Sequence, residues 1–165
     1  MLGRLGLACA GLLLGSAGAF AAGQSCPPDQ VVFLTDTGAK SITVEIADDE
    51  AERAQGLMFR EKLAPDHGMI FIYETPRPAS FWMRNTLIPL DMIFLDARGV
   101  IRHIHPEAKP LDETPVPGNL PGDPDPDRLY VVELAGGEAA RLGLKPGQAM
   151  AFAGISKSTA AAPCR

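Results

Sequence analysis

Short runs of alternating apolar and polar residues, broken about every ten positions by Gly, Pro or Asp, run through this chain from Gln30 onward. Runs this short give long helices no footing. Each half-apolar segment must instead find partners in a sheet that packs on another sheet or curls on itself. The expected class is mainly β, a sandwich or barrel with one or two short helices. Gln30 to Leu34 reads as a first strand closed by Asp36-Thr37-Gly38. Ser41 to Ile46 follows, with Ile42, Val44 and Ile46 on one face. Met69 to Tyr73, Ala79 to Met83, Leu90 to Asp96, Val100 to His105, Arg128 to Leu134 and Ala149 to Ala153 read the same way. The fifth and sixth of these eight segments form a hairpin about Ala97-Arg98-Gly99.

Two segments break the rhythm as helices. Asp48 to Gly56 has Asp49 and Glu52 at cap-and-third-residue spacing, acids in the first turn and Gly56 to end it. Gly137 to Leu142 reads as a short helical turn. Between strands, 106–127 is rich in Pro and Asp without apolar periodicity, and is expected to be mobile because it offers little to bury.

The first residues look like an address rather than fold. Arg4 precedes an apolar stretch, Leu5 to Leu14, and Ala19-Phe20-Ala21 is the pattern signal peptidase accepts. The stretch is shorter than the roughly 20 apolar residues a spanning helix needs, and no later segment is apolar enough to span. The expected organisation is a signal peptide at 1–21, a tail at 22–29, one domain at 30–155 and a tail at 156–165. The expected location is periplasmic or secreted. Of three cysteines, Cys9 leaves with the signal. Cys26 and Cys164 stand at the two ends of the mature chain and are expected to pair in an oxidising compartment, the alternative being two free thiols. The formal net charge is −5 at pH 7, and losing Arg4 makes the mature chain more acidic. That balance argues against nucleic acid, whose phosphates call for a clustered basic face.

The densest chemistry lies in Phe81-Trp82-Met83-Arg84-Asn85-Thr86-Leu87-Ile88-Pro89-Leu90-Asp91. In an extended segment Ser80, Trp82 and Arg84 share one face while Phe81 and Met83 point to the core. Asp91 falls on the face of Ile93 and Leu95, so its carboxylate starts near buried surface and needs partners. Either Trp82, Arg84, Asn85, Thr86 and Asp91 line a polar pocket beside an aromatic wall, or the polar residues satisfy turn amides and Trp82 plugs the core.

Gly56-Leu57-Met58-Phe59-Arg60, Gly68-Met69-Ile70-Phe71, the Trp82 block with Pro89-Leu90-Asp91, Val132-Glu133-Leu134 with Gly136, and Gly143 to Gly147 together resemble one family, domain of unknown function 192. The resemblance runs from about Val31 to Phe152. It implies a compact, jelly-roll-like sandwich or barrel with little helix, and it implies no reaction. The 106–127 connection looks longer than the family's usual one.

Arg53 and Arg60 flank Gly56. They either clamp an anionic ligand group or bridge to Glu52, Glu61 or Asp91 to fix the helix on the sheet. His103 and His105 project from one strand face as a weak metal pair, with His67 a guess for a third ligand. No cofactor is expected. Phosphate-loop, nucleophile-elbow and zinc-protease motifs are absent from the sequence. Three readings remain. In the first the chain is a periplasmic binding or accessory module for a small molecule or envelope protein. The second is a cell-envelope hydrolase using Asp91, with Glu61 as a possible second acid and Arg60 or Arg84 holding charge. The third is a structural or interaction protein with no small-molecule site.

Overall fold

The computed structural model describes residues 25–165. The expected signal segment, 1–21, lies outside them. Nine strands and two short helices follow in the order β1 Gln30–Thr35, β2 Gly38–Ala47, α1 Glu50–Gln55, β3 His67–Pro78, β4 Ser80–Phe81, β5 Leu90–Leu95, β6 Ile101–Ala108, β7 Val116–Pro117, β8 Asp127–Ala135, α2 Glu138–Leu142 and β9 Ala149–Phe152. Seven strands form one sheet in the order β6-β5-β8-β3-β2-β1-β9, and β4 pairs with β7 in a separate ribbon. Every neighbouring pair is antiparallel except β2 and β3, which α1 connects. The long sheet curls into a half-barrel. Its two edges meet where Val100 bridges Ala149, held by Ile101 N–H to the Gln148 carbonyl (2.9 Å) and Met150 N–H to the Gly99 carbonyl (2.8 Å). The curl therefore hides part of each edge from stray pairing.

Strand alternation sorts the apolar residues into two layers, one on each face. The first gathers Ile70, Ile93, Leu95 and Val132 with Leu142 of α2. In the second, Met69, Phe71, Met92, Phe94 and Val131 lie under Leu57, Ala79, Met83 and Val116. Because both faces of β5 are covered, all six of its residues are buried.

α1 forms where the cap spacing predicts it. Asp49 accepts from Glu52 N–H at 2.8 Å, Glu52 reaches back to the amides of Asp48 and Asp49, and Gly56 ends the helix at φ +48°. A side chain at Gly56 would also stand 3.1 Å from the Phe71 ring, so glycine lets the helix exit lie against the second layer.

The 106–127 stretch corrects its expectation. It buries Val116 in the second layer, pairs β7 with β4 and fastens to the next loop through Met83 N–H to the Asp112 carbonyl (2.8 Å). Arg128, fully buried, holds the rest. It donates to the carbonyls of Gly118, Asp125 and Asp127 and pairs with Asp123, which Arg102 also approaches at 3.3 Å. The proline-rich sequence hid this because the anchor is one arginine just beyond the stretch, at the start of β8, whose burial no local pattern announces. Cys26 and Cys164 are joined as a disulfide with Cα atoms 5.8 Å apart, beside Val32, Ala151 and Ala162.

Candidate functional site

The α1 exit and the Trp82 loop meet over the second apolar layer and leave a cleft of about 110 Å³ between them. Arg53, Leu57 and Met58 line it on one side, and Phe81, Trp82 and Thr86 on the other. Phe71 and Tyr73 of β3 and Glu133 of β8 form its floor. Glu133 is the residue sequence reasoning missed. It follows Val131 by two in β8, so it points into the second layer, where its register partners are Met69 on β3 and Met92 on β5. Only 4% of its surface is exposed, and it makes no hydrogen bond to another described residue. Burial pushes its carboxyl up to about 8, so at neutral pH it is mostly a neutral acid. The signal was present in the sequence as one charge inside the apolar run Leu129 to Leu134. The close approach that fixes its backbone is also specific: a side chain at Gly68 would strike the Glu133 carbonyl at 2.3 Å.

Trp82 stands at the cleft's lip, 48% exposed, with the Arg84 guanidinium 5.6 Å above its ring. It is not a core plug. Phe81 beneath it packs edge-on to Phe71 at 5.0 Å, and Met83 is buried, which is the division of faces the alternation predicts. Thr86 is buried and donates to the Arg84 carbonyl at 3.3 Å, while the Asn85 amide reaches the Met58 sulfur at 3.9 Å. Tyr73 carries Arg53 at 5.6 Å and Arg77 at 5.5 Å over its ring, and burial raises its hydroxyl pKa.

Backbone strain gathers beside this cleft. Phe59, Asn85 and Leu111 adopt φ of +63°, +54° and +62°, a region costly for bulky side chains. Phe59 N–H donates to the Asn85 carbonyl at 2.8 Å, and Leu111 N–H to that of Thr86 at 3.2 Å, so three strained loops are tied together. Strain held by such cross-ties is a feature of functional sites.

The other sequence candidates are dispersed. Asp91 is fully buried, but its carboxylate accepts from three backbone amides: Glu107 (2.8 Å), Gly137 (3.0 Å) and Ala139 (2.7 Å). It fastens β6 and the start of α2 to β5, which is the turn-amide role, and a carboxylate so engaged is a poor acid or base for a hydrolase. Glu61 is exposed and takes no part. Arg60 pairs with Glu45 at 2.6 Å in a separate hollow with Lys62 and His67. Arg53 does fix α1 to the sheet, but through the carbonyls of Asp48 and Ile72 instead of the carboxylates expected. His103 stacks on Phe94 at 5.9 Å, and its pKa is lowered by burial first and by His105 and Arg128 after that. His67 lies at the start of β3 with its ring bonded to the Pro65 carbonyl. Among the described residues no three His, Cys, Asp or Glu groups gather as metal ligands.

Comparison with known proteins places this arrangement in a family. A protein from Novosphingobium aromaticivorans DSM 12444, described as of unknown function, is 41% identical, with 79% of this chain and 93% of that one aligned at a TM-score of 0.67. A protein from Sinorhizobium meliloti 1021, described as a candidate transcription regulator, is 39% identical, with 78% and 96% aligned at a TM-score of 0.68. No curated protein matches. The family model described as an uncharacterized ACR, domain of unknown function 192, matches residues 32–152. The chain belongs to the domain of unknown function 192 family.

Proposed function

We propose that this chain is an exported binding module that takes a small ligand in the cleft between the α1 exit and the Trp82 loop. The observation that carries the reading is Glu133, a nearly enclosed acid left without a hydrogen-bond partner among the described residues, on the floor of an open cleft. A buried polar group of this kind costs stability unless something satisfies it, and a ligand is the partner such a cleft admits. The half-exposed Trp82 and the strained, cross-tied loops support the same place. Export is supported by the N-terminal signal pattern and by a disulfide that closes the mature chain. A nucleic-acid role is not proposed, given a net charge of −5.

A thermal-shift screen of the oxidised mature domain against neutral, cationic and anionic small molecules tests the reading. A ligand at a hundred times its Kd adds about 2.7 kcal/mol and moves the melting point of a domain this size by roughly 5–10 °C. The expected hit disappears in Trp82→Ala and Glu133→Leu while both variants stay folded. Silence across every ligand class would overturn the reading in favour of a structural protein.

A further inference from the structure

The chemistry around Glu133 narrows the ligand class, resting on the binding reading above. We propose that the cleft receives an uncharged, hydroxyl-bearing ring, a saccharide unit, stacked against Trp82 with the Glu133 carboxyl as its hydrogen-bond partner.

Charge decides first. An ammonium ligand drawn to these rings would meet like charge, because the chain's own guanidinium groups already sit over them, Arg53 and Arg77 on Tyr73 and Arg84 on Trp82. It would also have to settle next to Arg53, which lines the same cleft. An anion fares no better. Arg53 is held in place by its Nη1, which donates to the carbonyls of Asp48 and Ile72, and the floor facing the anion is itself an acid. A neutral ligand meets neither objection.

Hydrogen bonding points the same way. Among the described residues no fully enclosed side-chain oxygen or nitrogen lacks a partner, so the unbonded Glu133 oxygens open onto the cleft. Held neutral, a carboxyl offers one donor and one acceptor, the pair a sugar hydroxyl uses. Ser80 and Thr86 add hydroxyls to the same lining. Arg53 from α1 and Tyr73 from β3 are the other titratable groups there, while β3 and β5 set only Met69 and Met92 beside Glu133 in register.

Shape supplies the third argument. A second, open hollow of about 260 Å³, lined also by Pro115, shares Ser80, Phe81 and Trp82 with the cleft. Trp82 thus forms a ridge between two hollows, and one guanidinium covers only one face of its ring. C–H faces of sugar rings pack on such a ring. A ligand of two or more units would straddle it.

Trp82 is the only tryptophan, so tryptophan fluorescence, excited clear of the tyrosines, reads this site alone. Calorimetry and fluorescence titration of the mature domain would use cellobiose and N,N′-diacetylchitobiose, with tetramethylammonium chloride and sodium acetate as charged probes. Saturable binding of at least one saccharide is expected, weakened about tenfold or more in Trp82→Ala and Glu133→Leu. Glu133→Gln, which keeps a donor and an acceptor, should stay within about threefold of the parent. Tetramethylammonium binding that tightens toward pH 8 and is lost in Glu133→Gln would overturn the inference while leaving a ligand cleft. So would acetate binding with saccharides silent. Saccharide silence alone also overturns it, whereas the binding reading falls only if the wider thermal screen is silent too.

Discussion

Asp91 and Glu133 are both almost wholly buried, on the adjacent strands β5 and β8, yet their carboxyl groups meet different surroundings. Asp91 has three backbone donors within 3.0 Å. Glu133 has methionines on either side and a cleft in front. The consequences are measurable and opposite. Asp91→Asn keeps the volume but removes the charge and places donors against amide donors, so it should cost about 2–4 kcal/mol in chemical denaturation. A variant of unchanged stability would contradict the role given to it. Glu133 behaves the other way. Its folded pKa, about 8, lies above the 4.5 of an ordinary glutamate, so between those values the folded state holds more protons than the unfolded one. Stability from this group is therefore full below about pH 4.5 and declines as pH rises to about 8, by roughly 3–5 kcal/mol at most. Glu133→Gln should flatten that decline when unfolding free energy is followed from pH 5 to 9. A slope shared by both proteins would assign the decline to other groups.

Elements were legible to the degree that they were local. The cap at Asp49 and Glu52, the strand alternation and the hairpin after Leu95 rest on neighbours in sequence, and each element formed within a few residues of its expected bounds. The exception is Ala79 to Met83, of which only Ser80–Phe81 pairs as a strand, with β7. The cleft was not legible, because it joins the α1 exit, the Trp82 loop and β8, and no spacing rule links those three. Asp91 drew attention as the acid nearest the aromatic motif, while Glu133 was hidden as one charge in an apolar strand. The 106–127 connection failed similarly, since what orders it is Arg128 on the following strand. Arg128→Ala would leave three carbonyls without their donor and Asp123 with Arg102 as its remaining guanidinium, and should cost about 3–5 kcal/mol. Proteolysis should then cut within 106–127 first. Equal resistance in variant and parent would show that other contacts hold the loop.

At the scale of the whole molecule, a curled sheet whose edges meet gives a rigid frame, and the disulfide ties its two termini across a separation of 138 residues. The loop-entropy model sets the stabilisation from that closure at about 5 kcal/mol as an upper figure. Alkylation after denaturation should block neither Cys26 nor Cys164 until reductant is added. Free thiols at Cys26 and Cys164 would remove both the tie and one support for export. Against this frame the cleft loops hold strained residues above one acid of β8 that has no hydrogen-bond partner among the described residues, so function depends on the state of that acid. The most direct measurement is a carbon-13 NMR titration of the Glu133 carboxyl in the mature domain. The account predicts a midpoint near 8 that moves when a ligand enters the cleft. A midpoint near 4.5, unmoved by any ligand, would contradict it, because the carboxyl would then be solvated like a surface glutamate and the cleft would have no dry acid to satisfy.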